Sequence, residues 1–182
     1  MGSKLGLFVV AAVGFGALAL LAGARGGVKV SIRQPGDGSE LPSNAIHEAQ
    51  LSPRDEQAHF QVLVENDSRQ PLDFYDDGSS WGDPTLTFLA TTPDGIARKL
   101  RKEVAAYTKN APGLIHVLPG QVWVREVLYD WPAWSKLSGL LHTAGSIKLQ
   151  AVVTQASDPT AKHDKDFWVG RAESKPVEIR IR

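Results

Sequence analysis

Short runs of alternating apolar and polar residues recur along this chain, and they constrain its fold more than any other feature. An alternation with a period of two places one set of side chains on one face of a β-strand. Turn-forming Asn, Asp, Pro and Gly separate the runs, which are residues 28–32, 59–64, 72–75, 85–90, 122–129, 147–153 and 177–181. Seven to eight short strands of this kind predict an all-β, antiparallel β-sandwich.

Two further segments fit a helical pattern. Residues 96–107 carry apolar side chains at helical spacing, but they also fit the return strand of a hairpin that turns at residues 93–95. Both alternatives stay open. Residues 130–139 predict one or two helical turns, with Asp130 as the cap, Pro132 in the first turn and Gly139 at the end.

The N-terminal residues predict export. No charged side chain occurs from Leu5 to Ala24, Lys4 precedes this run, and Ala22 and Ala24 form the small-x-small pattern of a signal-peptidase site. The sequence therefore predicts a hydrophobic helix that acts as a signal peptide over residues 1–24. The alternative is a retained membrane tether through residues 5–24, because such a run is long enough to span a bilayer.

Composition limits what the exported part is. We expect residues 25–44 to form an extended tether or an edge strand and residues 45–182 to form the β-sandwich domain. The chain has no cysteine, so the domain depends on its core rather than on disulfides. The 20 basic and 20 acidic residues of the whole chain balance, which gives no support for a nucleic-acid partner.

Framework residues then suggest a family. Residues 60–66, 118–120, 145–151 and 167–177 resemble the strands and turns of bacterial exported immunoglobulin-like domains. Their order is similar to that of a bacterial proteinase-inhibitor family. The resemblance implies an immunoglobulin-like sandwich and, as one function, proteinase inhibition. Residues 75–82 stand where that family has an aromatic, glycine-rich recognition loop, and they do not match it.

Tryptophan supplies the best candidate site. Trp123 and Trp168 lie in predicted strands and are expected in the core. Trp81 lies in an acidic loop, and Trp131 and Trp134 lie three positions apart in the predicted short helix. Exposed tryptophan stacks on sugar rings and anchors protein interfaces, so these three residues are the predicted ligand-binding residues. The alternative is that Trp131 and Trp134 plug one end of the sandwich.

Motifs for catalysis and metal binding are weak. Residues 78–82 fit the G-x-S-x-G pattern around Ser80, but a strand rather than a helix is predicted to follow. An acidic cluster, consisting of Asp73, Asp76, Asp77 and Asp83, suggests calcium, yet Pro84 stands where an EF-hand needs glutamate. A solvated acidic turn is favoured, and neither a metal nor a cofactor is predicted.

Three other patterns have ordinary explanations. The five histidines lack tight metal-ligand spacing, and His163 with its neighbouring aspartates is favoured as a charged loop. Residues 66–68 fit the N-glycosylation pattern but coincide with a predicted turn. A basic cluster, consisting of Arg98, Lys99, Arg101, Lys102 and Lys109, fits either an anionic polymer or lipid surface, or a solvated edge strand.

These observations predict an exported, non-enzymatic binding or structural module of the cell envelope. The expected partner is an envelope protein or a polysaccharide, bound through Trp81 and the segment with Trp131 and Trp134. An exported proteinase inhibitor is one alternative. A small hydrolase using Ser80 or a histidine is the other, and it is disfavoured.

The cleavage site can be tested directly. N-terminal sequencing of the chain recovered outside the cytoplasm should begin at Arg25, because signal peptidase requires small residues before the cut. Ala24→Tyr should retain residues 1–24. Recovery of unprocessed wild-type chain in the membrane fraction would contradict cleavage and support the tether.

Overall fold

The computed structural model describes residues 27–34, 38, 40–47, 59–77, 79–103, 113–156 and 166–180. These residues are mostly β, as predicted, with one α-helix, α1 (Ser135–Ala144). The strands are β1 (Val28–Arg33), β2 (Ile46–His47), β3 (His59–Asn66), β4 (Leu72–Tyr75), β5 (Leu86–Thr91), β6 (Ala97–Arg101), β7 (Leu114–Val117), β8 (Val122–Leu128), β9 (Ser146–Gln155), β10 (Gly170–Glu173) and β11 (Val177–Arg180). Short 3-10 turns at Asp83–Thr85 and Pro132–Trp134 precede β5 and α1.

The first sheet has the strand order β1-β3-β8-β2, and all its pairs are antiparallel except β2 with β8. The alternation predicted for β3 is present, because Phe60, Val62 and Val64 are buried and the residues between them are half-buried. β1 lies at the edge of this sheet, and its Val30 is buried in the core. The segment predicted as a tether or edge strand therefore also contributes to the core.

The second sheet is built around β9. β5 pairs with one side of β9 and then with β6, while β10 and β11 pair with successive parts of its other side. Ser174 lies between β10 and β11, and its Oγ accepts a hydrogen bond from the Ala151 amide at 2.9 Å. This contact continues the edge across the break between the two short strands.

Aromatic side chains join the two sheets through a common core. Phe60 of the first sheet meets Phe88 of the second with ring centroids 5.5 Å apart, and Trp134 packs on Phe88 at 5.2 Å. The separate pair β4–β7 adds Phe74, whose ring lies 5.6 Å from that of Trp123 and 5.4 Å from that of Trp168. The arrangement is consistent with a β-sandwich.

The predicted short helix differs in its ends. Asp130 does not cap it, since no side chain caps either the 3-10 turn or α1. Gly139 lies inside α1, which continues to Ala144 because Leu137 and Leu141 bury its apolar face. Gly145 ends the helix with a φ of 70°, and its N–H donates to the Leu141 carbonyl. The later glycine is the one with the positive φ that glycine adopts readily at a helix end.

Two other local expectations are resolved. Of the alternatives for residues 96–107, the hairpin is present as far as β6, which pairs with β5 from Ala97 to Arg101, and residues 104–112 lie outside the described part.

In β8, the predicted apolar face of Val122, Val124 and Leu128 is buried, but the opposite face supplies Trp123 and Val127 to the core. Both faces of β8 are buried.

The predicted N-terminal apolar run, residues 5–24, lies outside the described residues. Within the part of the chain that the structure describes, no helix has both the length and the apolar composition needed to cross a bilayer. Signal peptide and membrane tether both stay predictions.

Asn66 is fully buried and uses its whole side chain to hold the turn after β3. Its Nδ2 donates to the carbonyls of Gln70 and Val117, both at 2.8 Å, while its Oδ1 accepts from the Ser68 amide and hydroxyl. A buried amide with both hydrogens donated is not available to glycosylation in the folded chain. The N-x-S pattern at residues 66–68 is therefore explained by the turn.

We expect Asn66→Ala to lower the free energy of unfolding by about 2–4 kcal/mol, since buried carbonyls and an amide lose their partners. Chemical denaturation followed by tryptophan fluorescence measures the change. Arg69→Ala, at an exposed neighbouring position, is the control and should leave the midpoint unchanged. Equal stability of Asn66→Ala and wild type would contradict a structural role for this side chain.

Candidate functional site

Trp81 is presented by a tight turn after β4. Ser79 Oγ donates to the Asp76 carbonyl and accepts from the Gly82 amide, both at 3.1 Å, and Ser79 is buried. A Cβ on Gly82 would lie 1.4 Å from the Asp76 carbonyl oxygen, so only glycine fits this close approach. The turn projects Ser80 and Trp81 from one end of the second sheet.

A buried ion pair holds this turn from behind. Arg125 of β8 has a side chain only 1% exposed, and it contacts both carboxylate oxygens of Asp77 through Nε and Nη2, the Nε–Oδ2 distance being 2.9 Å. Its Nη1 donates to Thr85 Oγ1 at 3.0 Å, and its guanidinium carbon lies 4.6 Å from the Trp123 ring centroid. A buried charge is tolerated when it is paired and hydrogen-bonded in this way.

Lys102 neutralises the second acid of the turn. Its Nζ donates to Asp83 Oδ1 and to the Asp77 carbonyl, and the Asp83 side chain is almost fully buried. Asp73 pairs with His116 across β4 and β7 at 2.6 Å. Protein cations or a histidine thus already contact three of the four carboxylates considered for calcium. Among the described residues, no group of three or more potential ligands is placed to hold a metal ion.

A cleft of about 500 Å³ lies beside the Trp81 turn. Aromatic side chains of Tyr75 and Trp81 line it together with the hydroxyl residues Thr87 and Thr154. The two threonines alternate with core residues of β5 and β9, so the cleft opens on the face of the second sheet that points away from the core. This volume lies within the range of roughly 300–1,000 Å³ found for small-molecule sites.

Gln155 fixes the base of the cleft. Its Oε1 accepts from the Tyr75 amide at 3.0 Å, and its Nε2 donates to the carbonyls of Asp73 at 3.1 Å and Trp168 at 2.7 Å. One buried side chain therefore ties β4 and the segment before β10 to the end of β9. The cleft wall is preorganised by these bonds, which reduces the ordering cost of binding.

The predicted binding tryptophans are not brought together. Trp81 is half-buried and lines the cleft, whereas Trp131 is 47% exposed in the extended residue before the 3-10 turn. Trp134 is only 6% exposed and packs on Phe88, so it is a core residue rather than a surface anchor. Trp123 and Trp168 are buried, as predicted.

The serine motif lacks its catalytic context. Ser80 is exposed, and the chain continues from it into the 3-10 turn Asp83–Thr85 and then β5, with no α-helix following. In the described part of the chain, no hydrogen bond links Ser80 to a histidine; His163 lies outside it. Backbone donors at a helix N-terminus are what the nucleophile elbow requires.

Sequence reasoning missed Arg125, Gln155 and Arg171, and it placed Lys99 in a basic cluster without linking it to Trp81. Arg125 lies in phase with Trp123 and Val127, which signals a charge on the core-facing side of β8 and hence a buried acidic partner. Lys99 and Arg171 line the cleft from β6 and β10, far apart in sequence, and no local pattern signals that they meet Trp81.

Comparison of the chain with protein-family models, with curated proteins and with solved structures found no match. The antiparallel sheets agree with the β-sandwich that the sequence predicts.

The Arg125–Asp77 pair can be tested with a double-mutant cycle. Arg125→Met and Asp77→Asn should each lower the free energy of unfolding by about 3–5 kcal/mol, because each leaves a buried charge without its partner. The double variant should lose less than the sum of the single losses. Arg101→Met, on an exposed residue, is the control. Strictly additive losses would contradict direct coupling.

Proposed function

We propose that this chain is an exported, non-enzymatic module of the cell envelope and that it binds a glycan in the cleft beside Trp81. The cleft is the observation that carries the proposal: it combines the half-buried ring of Trp81 with threonine hydroxyls on two paired strands, and the buried Tyr75 lies beneath them. Aromatic rings stack on the apolar faces of sugar rings, and hydroxyls hydrogen-bond sugar hydroxyls. Export is supported by the apolar run at residues 5–24 and the small-residue site that follows.

The position of the cleft favours a glycan over a peptide. Peptides that bind sheets usually add a strand to a free edge and use its backbone groups. This cleft opens instead on the face of the second sheet, where Thr87 and Thr154 belong to strands whose backbones already pair with each other and with β6 and β10. Recognition there depends on side chains rather than on backbone pairing.

For the fold, we propose that the two sheets form an immunoglobulin-like sandwich. Support comes from their shared aromatic core and from the framework residues that resemble such domains. Within the described residues, no feature favours the proteinase-inhibitor or hydrolase alternatives over binding in the cleft.

The proposal is tested by measuring how much envelope polysaccharide the immobilised chain retains. The chain is used with the N-terminus that its producing cell leaves on it. Trp81→Ala should weaken retention about thirtyfold or more, because a central aromatic anchor contributes about 2 kcal/mol or more. Trp131→Ala removes an exposed tryptophan outside the cleft and is the matched control, with unchanged retention expected. Equal retention by both variants, or retention of protein alone, would contradict a glycan site at Trp81.

A further inference from the structure

We infer that the cleft selects an acidic glycan, one whose sugars carry anionic groups. This inference rests on the proposed glycan-binding function and adds the charge of the ligand. Its basis is the sign of the charges that line the cleft. Lys99 and Arg171 both line it, and no acidic side chain does so among the described residues.

The sign of the charge is opposite to what the sequence around Trp81 suggests. The neighbouring Asp77 and Asp83 turn inward, where Arg125 and Lys102 neutralise them. Asp73 pairs with His116. The acidic turn thus forms a charge-matched support, and the charges that face the cleft are positive.

Asp76 is also directed away from the cleft. Its Oδ2 lies 1.8 Å from the position that a Cβ on Gly113 would occupy, so the carboxylate packs over this glycine. The Asp76 amide donates to the Gly113 carbonyl at 3.0 Å, which fixes the same approach from the backbone. None of the four acids is a lining residue of the cleft.

The two cations approach from opposite corners of the sheet. β6 and β10 are three strands apart, which corresponds to about 14 Å. Lys99 aligns with Leu89 and thus with Gln150, whereas Arg171 aligns with Thr154, four residues or about 13 Å further along β9. The backbone positions of the two cations therefore lie about 19 Å apart, and their long side chains reach the cleft from different sides.

The two cations differ in whether a neighbouring carboxylate pairs with them. Arg171 donates from Nε to Glu173 Oε1 at 2.6 Å, and its Nη2 lies 2.6 Å from the same oxygen. Glu173 orients the guanidinium and also competes with an anionic ligand for it. Lys99 has no ion-pair partner within the described ranges, so its charge is not offset there. Removing the Glu173 charge should consequently strengthen binding of an acidic ligand.

Tryptophan fluorescence titration of the purified chain tests the inference with two probes of equal length, a galacturonate oligosaccharide and a neutral glucose oligosaccharide. At low salt the acidic probe should bind at least about tenfold more tightly. Lys99→Met and Arg171→Met should each weaken acidic binding by about tenfold and so reduce the difference in affinity between the two probes. Glu173→Gln should strengthen acidic binding. Arg98→Met, a cation of the same strand outside the cleft, is the matched control.

The outcomes separate the two proposals. Equal affinity for both probes, lost in Trp81→Ala, would overturn the acidic preference and leave the glycan site in place. No fluorescence response to either probe would overturn both. Acidic binding that weakens equally in Arg98→Met and Lys99→Met would show diffuse surface attraction, and it would overturn the assignment to the cleft.

Discussion

The buried pair of Arg125 and Asp77 is the interaction on which this end of the molecule depends. Arg125 occupies a core-facing position of β8, where an unpaired guanidinium would carry a large desolvation cost. Asp77 reduces that cost only if the turn after β4 folds back so that the Asp77 carboxylate lies beside Arg125 of β8. The same fold-back brings Thr85 onto the guanidinium and leaves Trp81 beside the cleft. A core requirement therefore fixes the position of a surface aromatic residue.

Ion pairs and hydrogen bonds have different roles around the cleft. Arg125 and Lys102 hold the acids on the inner side, so the side chains that remain for a ligand are aromatic, hydroxylic and cationic. Gln155 ties β4 to β9 through three hydrogen bonds, which keeps the cleft wall in place before a ligand arrives. Rigid support of this kind favours binding, since fewer side chains must be ordered on association.

Local patterns predicted the strands well and the site poorly. Alternation located β3 and β9, because a buried face imposes a period of two. It did not show that Trp134 packs on Phe88, since that contact joins residues far apart in sequence. The acidic residues near Trp81 suggested a negatively charged loop. The cations that neutralise them come from distant parts of the sequence, namely β8 and the end of β6, so no local pattern revealed them. Only the position of Arg125, on the same face of β8 as Trp123 and Val127, gave a local sign of these ion pairs.

The most direct test of the account is an NMR titration of the tryptophan indole N–H signals with the galacturonate oligosaccharide. Trp81→Phe and Trp131→Phe assign the two relevant signals. The Trp81 signal should shift as ligand is added while the Trp131 signal stays in place, because Trp81 lines the cleft and Trp131 does not. A shift of Trp131 with Trp81 unmoved would contradict the central claim that the cleft is the binding site.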